Sequence, residues 1–173
     1  MQRDTLRIIE LNQVEQMLVQ TVAEMRDASH ANGGTGKVGP QSSACGNVNG
    51  FGAELAACKY LNCYPDLEIG FCMGGADCDA RGIFVDVKNT LYPNGHLIAV
   101  ATKRHGDADV YALMVGEFPR YRFAGCMSAA ELFREERRKE FGYGPTPAAK
   151  QEELLTWEEI TLADRLSDWS KKP

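Results

Sequence analysis

The 173-residue chain has no apolar run near the roughly 20 residues that cross a bilayer, so no membrane span is expected. Its opening, Met-Gln-Arg-Asp-Thr-Leu-Arg, carries charge throughout and no long apolar stretch, so a signal peptide is not expected either. An excess of positive charge is missing too. The formal net charge is −5, which argues against a protein that coats nucleic acid non-specifically. The six cysteines (45, 58, 63, 72, 78 and 126) are spaced Cys-x4-Cys and Cys-x5-Cys, without the closer knuckles and matching histidines that mark zinc. Reduced thiols in a cytoplasmic protein are therefore the expectation, and Cys58, among Ala56, Ala57 and Leu61, reads as a small hydrophobe. Gly33 to Lys37 resembles a phosphate-binding loop only in passing, because Val38 stands where Ser or Thr is needed and a helical segment precedes it. With no internal repeat and no domain boundary, residues 1–173 read as a single domain.

What the chain does have is concentrated between Asp77 and Lys88. Asp86 and Lys88 sit two apart in an apolar run, and strand side chains alternate faces, so both project to one side while Val85 and Val87 are buried on the other. Two carboxylates and an ammonium on adjoining segments suit a hard cation such as Mg²⁺, which takes oxygen ligands and needs few protein donors beside a substrate phosphate. Asp79 competes with Asp77 but reads as a turn residue before Gly82. Basic residues Arg81, Lys103, Arg104 and His105 fall near this stretch, with Arg120 and Arg122 beyond it.

The surrounding pattern predicts a helix over 4–28 with Leu11, Val14, Leu18, Val22 and Met25 inward, then a glycine-rich loop over 31–50 and a helix over 51–62. On that second helix Phe51, Glu54, Ala57, Cys58 and Leu61 share a face, leaving Glu54 as the one charge on an apolar stripe. Strands are expected over 67–72, running on to a turn at 79, and over 83–88, 97–101, 110–115 and, as a short edge strand, 121–124. Ser128 with Glu131 predicts a capped helix over 129–140 whose charges 135–139 form a solvated face, 142–147 a linker, and Thr156 with Glu159 the start of a final helix within a helical extension over 150–169.

Glu54 on a helix, Asp77 after Gly74-Gly75, and Val85-Asp86-Val87-Lys88-Asn89-Thr90 after Gly82 together resemble the PD-(D/E)XK nuclease superfamily, most nearly its small phage and bacterial members. The resemblance covers about residues 51–140, and Ala76 stands where the motif's name has Pro. It implies an α/β fold with a restriction-endonuclease-like core, a central mixed β-sheet of about four to five strands flanked by helices. It also implies a Mg²⁺- or Mn²⁺-dependent deoxyribonuclease acting on DNA. Asp77 and Asp86 would hold the metal with the Val87 carbonyl, Glu54 would bind it through water or support a second ion, and Lys88 would orient the attacking water. Asn89, Thr90 and Lys103 would contact substrate. A homodimer is compatible with the superfamily, and the C-terminal helix with Trp157 and Trp169 is where its interface would be sought. Tyr92, Tyr111 and Tyr121 are candidates for stacking on bases. The second reading is a nuclease-like accessory factor in anti-restriction, packaging or replication, with weak or lost catalysis. A zinc-binding interaction module is the third.

Overall fold

The computed structural model describes residues 8–30, 43–69, 75–99, 106–142 and 144–162. Its organising element is β5 (Val110–Glu117), an eight-residue run that is buried almost throughout. Such a strand must be covered on both faces. Val110, Ala112 and Met114 enter one hydrophobic cluster with α1 (Gln13–His30) and α2 (Ser43–Leu61). Tyr111, Leu113 and Val115 enter a second cluster with α3 (Ala129–Leu132) and β4 (Leu97–Ile98).

The fold is α/β. A mixed five-stranded sheet has the order β1-β6-β5-β3-β2, where β1 is Ile8–Glu10, β6 Arg120–Ser128, β3 Phe84–Thr90 and β2 Cys78–Asp79. β3 runs parallel to β5, with Asp86 opposite Tyr111 and Lys88 opposite Leu113. β2 pairs antiparallel with β3 at Cys78–Val85 and Asp79–Phe84, and among the described residues no strand pairs with this edge of β3 beyond Val85. β5 and β6 form a hairpin through a cis Phe118–Pro119 bond, with a bulge at Leu113/Met114. That bulge lets Tyr121 and Phe123, then Cys126, face the same cluster despite their change of parity. β4, β7 (Arg138–Glu140) and β8 (Pro145–Ala149) make a second sheet of order β4-β8-β7. A last helix, α4, covers 157–162, and Thr156 and Glu159 cap it reciprocally.

Several expectations give way. The first helix begins at Gln13 rather than residue 4, because Ile8–Glu10 gain a ladder with β6 and Asn12 and Glu15 form a capping box. Its inward face carries Val19, Val22 and Ala23, while Val14 and Met25 are exposed. The second helix starts at Ser43 instead of 51. Residues 43–50, expected within the glycine-rich loop, continue the helix. Buried Asn49 ties them to the β5–β6 hairpin by accepting from the Phe118 N–H and the Tyr121 hydroxyl, contacts that outweigh poor propensity. β6 lies inside the sheet, not at its edge, since β1 covers it. The expected 129–140 helix is a single turn. Ser128 does cap it, but Arg137 then pairs with Glu131 and Glu153, and Arg138–Glu140 pair with β8 at the presumed linker. β4 leaves the main sheet altogether. The strand expected over 67–72 is not formed at 67–69, its remaining residues lie outside the described ones, and a short strand, Cys78–Asp79, stands where the turn was expected. Lys103, Arg104, His105, Cys72, Gly74, Trp169 and the Gly33–Lys37 segment lie outside the described residues.

Candidate active site

Val85 and Val87 are buried in the helix-side cluster, so Asp86 and Lys88 point to the opposite face, as strand alternation requires. Asp86 is only 1% exposed. Its Oδ1 meets the Lys88 ammonium, which also lies 6.0 Å from the centre of the Tyr111 ring. This is not a surface ion pair. A carboxylate at that depth is costly even when paired, and a hydrophobic replacement often stabilises, so stability alone is a poor reason for its presence.

Asp77 approaches from the end of β2. Its N–H donates to the Val85 carbonyl at 2.8 Å, and its Oδ2 accepts from the Val87 N–H at 2.6 Å. The Val87 carbonyl points to the same side as its N–H, beyond the end of β2. Asp79 behaves as the turn residue expected of it: its Oδ1 accepts from the Gly82 N–H at 2.6 Å, and Arg81 (φ 62°) and Gly82 (φ 87°) reverse the chain.

Glu54 arrives from α2, on the helix side of the sheet. The Arg26 guanidinium of α1 holds its Oε2 at 3.3 Å. Burial, then the charge of Asp77, raises the Glu54 carboxyl to about 8, against the lowering pull of Arg26 and Lys88. Glu54, Asp77 and Lys88 therefore share one electrostatic neighbourhood. Among the described residues, however, the carboxylates of Glu54, Asp77 and Asp86 do not all come within 4.8 Å of one another. Arg26 was not anticipated. It also donates to the carbonyls of Asp66 and Glu68 and covers the Phe51 ring at 4.7 Å, tying α1 and α2 to the segment that leads to Asp77. Its signal was present, since Val19, Val22, Ala23 and Arg26 fall on one helical stripe.

Past Lys88, a cleft of about 500 Å³ opens between Asn89, Thr90, Tyr92, Asn94, His96 and Phe141. No carboxylate lines it among the described residues, and Lys88 is one of its walls. Asn89 Oδ1 and the Tyr111 hydroxyl are buried with no hydrogen-bond partner among the described residues. Burial first, then Asp86, Asp107 and Asp77, keeps the Tyr111 phenol protonated. Tyr111 and Tyr121 are fully buried, which removes both as base-stacking candidates, whereas Tyr92 is exposed beside the cleft.

Asp86, Asp77 and the Val87 backbone offer oxygen donors, the type a hard cation takes, while Oε2 of Glu54 is engaged by Arg26. A second cluster was passed over by its spacing. The thiols of Cys58, Cys63 and Cys78 all lie within 4.8 Å of one another. Hydrogen bonds with Cys58 and then Cys78 bring Cys63 down to about 4, and hydrogen bonds with Cys63 and then Cys78 push Cys58 up. A comparison of the chain with known protein families, with curated proteins and with solved structures finds no match.

Proposed function

We propose that the chain is a Mg²⁺-dependent nuclease that hydrolyses phosphodiester bonds of DNA, with Mn²⁺ able to substitute. The observation that carries this reading is Asp86, buried and paired with Lys88, one residue from Val87, whose N–H donates to Asp77, with Lys88 lining a cleft that no carboxylate lines among the described residues. Asp77, Asp86 and the Val87 carbonyl would hold the ion, and Glu54 would act on it through water. When bound, the metal supplies Lewis acidity toward the phosphate and lowers the pKa of water. Lys88 orients the attacking water and offsets charge on the scissile phosphate, work that is mostly positioning and electrostatics. Asn89 and Thr90 meet the substrate backbone. An asparagine amide offers either an acceptor or, turned over, a donor to a phosphate oxygen. The resemblance to PD-(D/E)XK nucleases supports the same roles and a restriction-endonuclease-like core around β3 and β5.

A second reading, a nuclease-like binding factor, draws on the net charge of −5 and on Glu54 being held by Arg26. Cleavage of supercoiled and linear DNA with Mg²⁺, Mn²⁺ or EDTA separates the two. The nuclease cuts with either metal and not in EDTA, and Asp86→Asn and Lys88→Ala each lose at least about a hundredfold, more than removing an outer partner costs. DNA bound but uncut by the wild type favours the binding factor.

A further inference from the structure

Cys58 occupies the last turn of α2, and Asn62 ends that helix in the left-handed conformation at φ 55°. The Cys63 N–H returns to the Cys58 carbonyl at 3.0 Å, the six-to-one bond of a Schellman cap. In that cap the side chains at these two positions meet, a contact usually made by hydrophobic residues, and here both are thiols. Cys78 is brought to them by the bridge between Pro65 and Cys78 and by the Asp66 N–H donating to the Asp77 carbonyl at 3.3 Å. The three sulfurs lie within 4.8 Å of one another, and all three cysteines are free of disulfides. Thiolates at about 2.3 Å from one zinc in a tetrahedron stand about 3.8 Å apart, so closing onto an ion needs only a small contraction.

We propose that Cys58, Cys63 and Cys78 form a zinc site that staples the end of α2 to β2, one residue from Asp77. Cys58 and Cys78 are buried and Cys63 is partly exposed, so the fourth ligand enters from the solvent side of Cys63. Carboxylates are poor partners for this role and thiolates good ones, which separates it from the Asp77–Asp86 pair by ligand softness. Binding replaces the thiol protons with the dication and releases them to solvent, and no electron changes hands. The inference does not depend on the chain cutting DNA.

The test is metal content of the full chain purified without chelator, followed by Co²⁺ titration of the chelator-stripped protein. The proposal expects about one zinc per chain and a thiolate-to-cobalt absorption band. It expects both to be lost in Cys63→Ser, whose partly exposed side chain lets the fold survive, and in Cys78→Ser. Cys126→Ser, a buried cysteine outside the cluster, and Asp86→Asn both retain the zinc. Iron in place of zinc, a disulfide between any two of the three cysteines in the purified chain, or neither zinc nor a cobalt band in the wild type would overturn it. So would zinc that survives Cys63→Ser and disappears in Asp86→Asn.

Discussion

Glu54 carries a carboxyl whose proton the folded chain keeps to about pH 8, because burial and Asp77 outweigh Arg26. An ordinary glutamate releases that proton near 4.5 once the chain unfolds. Between those values the native state binds more protons than the unfolded state, so stability falls as pH rises from about 4.5 to about 8 and levels off above. In EDTA, the wild-type melting temperature is expected to drop across that window relative to Glu54→Gln, and parallel curves would contradict the assignment. Arg26 is the counterweight. Arg26→Met removes that lowering pull, so the Glu54-dependent fall in stability should extend to higher pH. The shared side of Asp86 and Lys88 and the place of Glu54 on its helix were legible because period-two and helical spacing reveal a charge on an apolar stripe, whereas no periodicity marks Asp77, which rested on the resemblance. Arg26 obeyed the same rule on α1, but the stripe had been drawn through Val14 and Met25, which turn out exposed. The cysteine cluster was hidden for another reason: Cys-x4-Cys is not a zinc knuckle, and only the cap formed by Asn62 folds the pair together.

Among elements, α2 shows where composition misleads. A Cβ at Gly52 would collide with the Tyr121 hydroxyl, which itself donates to the Asn49 carbonyl at 3.2 Å. Gly52 therefore permits close contact between α2 and β6. Gly52→Ala should cost about 1–3 kcal/mol in urea unfolding. Tyr121→Phe removes the nearest atom, so the double variant should lose less than the two single losses added together. Strict additivity would count against the contact. Strands β3 and β5 were readable because Val85 and Val87 alternate with Asp86 and Lys88 in one and Val110–Val115 is a continuous apolar run in the other. β1, β7 and β8 were not: Ile8–Glu10 and Pro145–Ala149 are extended through partners distant in sequence, and Arg138–Glu140, a charged run, pairs with β8 across a short turn. The Asn12–Glu15 capping box was a readable boundary that the longer 4–28 periodicity concealed.

For the whole molecule, the two hydrophobic clusters share β5, with alternate residues of one strand committed to each. Damage to one face should thus be felt on the other. Leu113→Ala, in the cluster away from α2, should lower stability by about 2–5 kcal/mol. Trp157 packs against the opposite cluster, and its fluorescence should move with far-UV circular dichroism in a single urea transition. Separate transitions would contradict a shared core. The candidate site sits on this same frame, since β3 aligns Asp86 and Lys88 against β5 while α1 and α2 hold Glu54. No helix among the described residues is long and apolar enough to cross a membrane. The most direct test of the central claim is Mn²⁺ binding by electron paramagnetic resonance, with Mg²⁺ as competitor, in wild type, Asp86→Asn and Cys63→Ser. The account predicts a Mg²⁺-displaceable Mn²⁺ site in wild type, kept in Cys63→Ser and lost in an Asp86→Asn chain with unchanged circular dichroism. Mn²⁺ bound equally well by Asp86→Asn, or not bound by the wild type at all, would contradict it.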